Sequence, residues 1–230
     1  MNARRLASIY NGCNFLGYIV RPTHLAVRNR VVNNLKSKII QYQSRLACRW
    51  NDTVVFKHEE KQMGKLHSVM ASYLGQFNHA ATHRLVCFLF QRYWALSRHF
   101  AMNGKVLRRL DQPPRFHNLT GQYRWFCCRY FKSIIFFRVG RYFEFYGRLG
   151  KFARDFFHLR AGASRPRLGI RVGFPVNRLE RYLRAALAVW PQVVLIRPTG
   201  RFSGYVMERR VHSILLKDRI NAVSNVLAEK

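Results

Sequence analysis

Acid is what this sequence has least of. Ten Asp and Glu stand against 41 Lys and Arg in 230 residues, a formal net charge of +31. Two-metal phosphoryl transfer and carboxylate-pair hydrolysis both need clustered acids. Here Asp52 and Asp111 stand alone, and Glu59 and Glu60 are neighbours that point apart on a helix. No run of about 18 apolar residues occurs, so no membrane-spanning helix is expected. The start, Met1-Asn2-Ala3-Arg4-Arg5, is basic but leads into no apolar signal core. Cysteines are few: five, at 13, 48, 87, 127 and 128, an odd number without Cys-x-x-Cys spacing. A disulfide framework or a cysteine-rich zinc finger is therefore not expected, and a reduced, cytoplasmic setting is. No Gly-x-x-x-x-Gly-Lys-Ser/Thr loop is present, so ATP hydrolysis is not expected. Internal repeats and low-complexity tracts are also missing.

What is there is apolar bulk and arginine. Hydrophobic residues make up 49% of the chain, with 18 Phe and 11 Tyr, enough to build a real core in one large domain or two small ones. Of the 41 basic residues 31 are Arg, and the excess charge divides almost evenly between the two halves. Guanidinium groups pair with phosphate through two parallel bonds and stack on bases. A polyanion partner follows, with nucleic acid ahead of an anionic membrane. Peripheral membrane binding fits poorly, because the basic residues are spread through folded-looking segments.

Along the chain, Phe15–Val20 is β-prone and ends at the Arg21-Pro22 turn. Val27, Val31, Leu35, Ile39, Tyr42 and Leu46 then recur at three- and four-residue steps, which predicts a helix from about Val27 to Trp50. Further helices are predicted over about 58–74 and 78–99, with Gly75 as a C-cap. Residues 103–123 read as a linker, marked by Asn103-Gly104, Asp111-Gln112-Pro113-Pro114 and Thr120-Gly121. Beyond it, Ser133–Val139 reads as a strand, Phe143–Leu159 as helical despite Gly147 and Gly150, and Leu168–Phe174 as a strand. Asn177 is placed to cap a helix running to Val189, with Glu180 at the capping-box position. Gln192–Ile196 and Tyr205–Leu216 complete an alternating α/β pattern. The expected fold class is α+β: a helical module over 1–102, the linker, a small mixed-sheet α/β module over 124–220, and a tail over 221–230.

Two resemblances sharpen this reading. Gly12-Cys13-Asn14-Phe15-Leu16-Gly17-Tyr18 resembles the segment that follows the active site in reverse transcriptases of the group II intron and diversity-generating retroelement type. Leu25–Leu35 is similar to their first thumb helix, and Ser72-Tyr73-Leu74-Gly75-Gln76-Phe77-Asn78-His79-Ala80 to a signature near the end of that thumb. The resemblance covers about residues 10–100. It implies an RNA-directed DNA polymerase as the parent protein, with fingers and palm expected to precede this segment in a truncated or frameshifted gene. The Tyr-x-Asp-Asp carboxylates and their Mg²⁺ would belong to that palm, so no cofactor and no catalysis are expected of this chain alone. In such a thumb Arg28, Arg30, Lys36 and Lys38 would track the phosphates of a duplex or an RNA–DNA hybrid.

The second resemblance covers about residues 130–216. Phe136-Phe137-Arg138-Val139-Gly140-Arg141-Tyr142-Phe143-Glu144-Phe145-Tyr146 resembles the opening of the mismatch-recognition domain, domain I, of MutS. Gly173-Phe174-Pro175-Val176-Asn177 and Tyr182-Leu183 are similar to a later segment of that domain, and Val193–Ile196 to one of its strands. In that family an aromatic ring stacks on a mispaired base and a glutamate hydrogen-bonds it, which carries over to Tyr142 and Glu144. Arg138 and Arg141 would add phosphate contacts, with Arg141 standing where the family has Asp.

Plainer readings compete. An aromatic in such a run is usually core, and Glu144 could simply pair with an arginine. The basic residues could form a solvated face of a ribonucleoprotein or other stand-alone structural factor. His79, His83 and Cys87, spaced by four, could share a helix face and hold a metal, although no fourth ligand is evident and no metal is expected.

Overall fold

The computed structural model describes residues 8–110 and 113–217. The basic start, Asp111-Gln112 and the expected tail lie outside the described residues. Two compact units emerge: 8–46 with 59–110, and 47–58 with 113–217.

The first unit opens with a three-stranded meander, β1 (Cys13–Phe15), β2 (Tyr18–Val20) and β3 (Leu25–Val27). Phe15 pairs with Tyr18, which leaves a two-residue turn of Leu16 (φ 45°) and Gly17 (φ 88°). Both central residues have positive φ, the requirement of a type I′ hairpin turn and the reason for glycine there. Helix α1 (Asn29–Leu46) buries Val32, Leu35, Ile39 and Leu46 along one stripe. It stops at Leu46, short of Trp50, because the chain turns directly into strands β4 (Ala47–Trp50) and β5 (Thr53–Lys57) of the second unit. Helix α2 (Glu60–Phe77) faces α1 with Met63, Leu66, Met70, Leu74 and Phe77. It runs straight through Gly75, which caps nothing. The single helix expected over 78–99 is two, α3 (His83–Arg92) and α4 (Trp94–His99), broken where Tyr93 turns extended. Asn103-Gly104 is not linker but the turn of a hairpin, β6 (Phe100–Asn103) and β7 (Val106–Arg109). Arg109 holds Glu60 through two bonds, at 2.9 and 3.0 Å, which fastens this hairpin to the start of α2.

The second unit is built on one eight-stranded sheet. After α5 (Leu119–Arg129) come β8 (Ile134–Val139), β9 (Tyr142–Tyr146), α6 (Gly147–Phe157), β10 (Ala161–Arg165), β11 (Gly169–Pro175), α7 (Leu179–Val189), β12 (Gln192–Ser203) and β13 (Val206–Lys217). The strand order is β10-β11-β9-β8-β12-β13-β5-β4. Only β8 and β12 run parallel. The other neighbouring pairs are antiparallel, including β9 and β11, which α6 and β10 join.

Both faces of the centre are covered. Ile134, Phe136, Phe143 and Phe145 face Ala153 and Phe157 of α6 and Leu183, Ala186 and Leu187 of α7. On the opposite face Tyr123 and Phe126 of α5 meet the ring of Phe137. Burial from both sides explains why Ile134–Phe137 is an unbroken apolar run rather than an alternating one. Helix α5 occupies the end of the expected linker, so Thr120-Gly121 sits in its first turn. Its cap is Asn118, whose side chain accepts from the Gly121 N–H at 2.7 Å. Asn118→Ala should lower stability by about 1 kcal/mol, read as a fall of a few degrees in thermal unfolding. An unchanged melting curve would show that α5 does not depend on this cap.

The α+β class holds, with further local differences in the second unit. Residues 143–146 of the segment expected to be helical belong to β9, and only from Gly147 does α6 begin. Asn177 lies in a short 3₁₀ turn, Val176–Arg178, and does not cap α7; Glu180 instead pairs with Arg184 at 2.6 Å.

Candidate nucleic-acid interface

The candidate site lies on the face of the sheet that carries α5, where β9 meets β11. Strand β8 turns into β9 through two residues, Gly140 and Arg141, with Gly140 first and at φ +58°. A tight hairpin turn of this kind favours glycine at that position. The turn makes Tyr142 the first residue of β9. Alternation along the strand then sends Phe143 and Phe145 into the core and sets Tyr142, Glu144 and Tyr146 on the other face.

Tyr142 is 50% exposed, against 0% for Phe143 beside it. Glu144 is buried at the base of the same row. One of its carboxylate oxygens accepts from the Tyr146 hydroxyl, and the other stands 4.0 Å from the Arg171 guanidinium. Burial and the bond to Glu144 hold the Tyr146 phenol well above the usual tyrosine range, so it stays a donor. Tyr146 is fixed in turn by Tyr123, whose hydroxyl oxygen accepts from the Tyr146 N–H at 3.2 Å.

Two glycines make room here. Gly173 lies directly across from Glu144 in the register, and a Cβ on it would fall 2.6 Å from the Phe143 carbonyl oxygen. A Cβ on Gly162 would press the Arg171 guanidinium at 3.3 Å. Without those side chains a hollow of about 210 Å³ opens, bordered by Tyr142, Glu144, Arg160 and Arg171. The hollow combines a half-exposed ring, a buried acceptor and two cations. It can take a flat, hydrogen-bonding group from a polyanion.

The Gly140-Arg141 turn is held from the same face of the sheet, where Arg209 lies against Phe137. Arg209, 5% exposed, donates from Nε to the Arg138 carbonyl at 2.7 Å and from Nη1 to Gln122 Oε1 at 2.8 Å and the Met207 carbonyl at 3.0 Å. Its guanidinium lies 5.0 Å from the centre of the Phe137 ring. Burial lowers its pKa, yet an arginine stays charged.

Within neither unit do the residues expected to bind nucleic acid form one group. Tyr142 and Glu144 share the hollow, with Arg141 exposed in the turn next to it. Arg138 does not join them. It pairs with Phe143, so it belongs to the opposite face, and its Nε donates to the Gly140 carbonyl at 3.1 Å. In the first unit Arg28 precedes α1 and is half-buried, while Arg30 is exposed in the first turn. Lys36 lies over the Phe88 ring at 5.6 Å and Lys38 over the Tyr73 ring at 5.3 Å. Two residues apart on a helix, these lysines point to opposite sides, so α1 does not present all of its cations as one stripe. His79, His83 and Cys87 do not share a helix face either, because α3 begins at His83; His83 and Cys87 are 3.8 Å apart.

Sequence reasoning missed Arg160, Arg171 and Tyr146. Period-two spacing from Tyr142 would have found Tyr146, had Phe143 onward not been read as helical. Arg160 immediately precedes β10 and Arg171 lies in β11, and no local pattern announces a cross-strand neighbour.

Residues 117–217 match the family model of MutS domain I. The match takes in α5 through β13 and covers less than half of the chain. It supports a MutS domain I-like module in the second unit. No curated protein matches the chain.

Proposed function

We propose that the chain binds duplex nucleic acid and that its second unit probes base pairs for distortion, with Tyr142 as the wedge and Glu144 as the acceptor for the displaced base. One observation carries this reading. In a strand whose other aromatic residues are buried, Tyr142 alone stands half-exposed, above a carboxylate that is already oriented by Tyr146. A ring stacks on any base face, and insertion is easiest where pairing is already weak. Arg160, Arg171 and Arg141 supply the phosphate attraction around it, and the net charge supplies the rest.

The first unit adds a sequence-independent grip on duplex or RNA–DNA hybrid, of the kind a polymerase thumb provides. Support for this comes from the Gly-x-x-Phe-Leu-Gly-Tyr and Ser-Tyr-x-Gly segments of the sequence. In this reading the parent protein is an RNA-directed DNA polymerase whose palm holds the metal.

The test is competition between a matched duplex and one with a single mispair, repeated at several salt concentrations. Affinity for both should fall steeply with salt, since phosphate contacts release counterions. The ratio between them should stay above one and change little, since stacking releases none. Equal affinities throughout would leave only a basic structural factor.

A further inference from the structure

A second and larger recess lies at the other end of β8 and β9, away from the Gly140-Arg141 turn. It measures about 820 Å³ and is formed by the C-terminal half of α5, the loop after it, the start of α6 and Trp190. This is within the range of sites that hold a ligand of several rings. Its chemistry is one-sided. Arg124, Lys132, Arg148 and Arg167 line it, and among the described lining residues there is no carboxylate. Among these cations sit two exposed aromatic rings. Phe131 is 77% exposed and Phe152 43% exposed, and Trp190 meets Phe152 edge-on at 4.8 Å. Lys132 stands 5.5 Å from the centre of the Phe131 ring.

Exposed rings of this size are retained at a cost to solubility unless something covers them. Four cations without a carboxylate among them favour an anionic cover. Exposed rings set among cations suit a chain that carries both bases and phosphates. A duplex hides its base faces, whereas an unpaired strand offers them. We infer that this cleft binds single-stranded nucleic acid, with bases stacked on Phe131 and Phe152 and phosphates on Lys132, Arg148, Arg124 and Arg167. The site shares no lining residue with the Tyr142 hollow, although Tyr146, which lines this cleft, bonds Glu144 there.

A ten-nucleotide oligothymidylate and an abasic oligomer of equal length are the probes, used with the full chain. Phe131→Ala should weaken oligothymidylate binding roughly 5- to 150-fold, the contribution of one stacked base. It should leave the abasic oligomer and the mispaired duplex unaffected. Cys128 is exposed in the cleft wall, while burial pushes the neighbouring Cys127 thiol up to about 11. Alkylation mapped by mass spectrometry should therefore slow at Cys128 when oligothymidylate is bound. Phe131 is exposed enough for the variant to fold, and Arg148→Glu gives an independent second variant that should weaken both oligomers. Equal loss for both oligomers on Phe131→Ala, no loss from either variant, or an unprotected Cys128 would overturn the inference. So would equal protection by a ten-residue glutamate peptide, which would make the cleft a site for acidic protein segments. If the cleft fails while Tyr142→Ala still removes the preference for a mispair, the duplex reading stands alone.

Discussion

Tyr142→Ala is expected to remove the preference for a mispaired duplex while leaving affinity for a matched duplex nearly unchanged. The reason lies in where Tyr142 sits. Its neighbours Phe143 and Phe145 are wholly buried, and the register of β9 against β11 rests on backbone bonds and on Gly173. Removing a half-exposed ring from the first position of the strand leaves that packing intact, so the thermal transition should move little. What is lost is one stack on an unpaired base, about 1–3 kcal/mol, or roughly 5- to 150-fold in affinity for the mispair. Tyr142→Phe keeps the ring and should retain the preference, because the hydroxyl is not part of the wedge. Equal behaviour of tyrosine and alanine at 142 in a competition assay would end the wedge account.

Arg209→Ala should have the largest effect on stability. The guanidinium is buried, and it satisfies the Arg138 carbonyl, the Met207 carbonyl and the Gln122 side chain together while covering the Phe137 ring. Alanine would leave buried acceptors without donors and a void beside Phe137. Each unsatisfied buried group costs about 1–3 kcal/mol, and a total of about 3 kcal/mol or more would lower the melting temperature by roughly 10 °C. Lysine should rescue only part of this, since an ammonium cannot span the same fork of acceptors. The loss should also reach function. The Arg138 carbonyl lies one residue from the end of β8, so releasing it loosens the turn that presents Arg141 and Tyr142. Denaturant unfolding of the two variants checks the order; an alanine variant as stable as the parent would show that the network contributes nothing.

Much of this is readable from the residues. The seam of α1 appears in the spacing of Leu35, Ile39 and Leu46, and the central strand β8 in the run Ile134–Phe137. Tyr142 and Glu144 come from the resemblance to the opening of MutS domain I, since the local pattern reads as helical from Phe143. The failures share one cause. Phe143–Leu159 reads as helical because Phe143 and Phe145 are followed by an amphipathic stretch, and only pairing with β8 and β11 makes 142–146 a strand. Likewise the hairpin of β4 and β5 reads locally as the end of one helix and the approach to the next. It becomes strand because β13, more than 150 residues on, pairs with β5. Arg209 looks like one basic residue among many. Its burial follows from strand order, which composition does not reveal.

The most direct measurement places a photoreactive base at the mispair itself. A duplex carrying 5-iodouracil in a single mispair would be bound to the full chain, irradiated, digested and mapped by mass spectrometry. If Tyr142 stacks on the displaced base, the main adduct falls on the peptide containing Tyr142, and it disappears when the same 5-iodouracil is correctly paired with adenine. Adducts confined to α1 of the first unit, or identical for paired and mispaired duplexes, would contradict the account and leave the chain a phosphate-binding protein that does not probe base pairs.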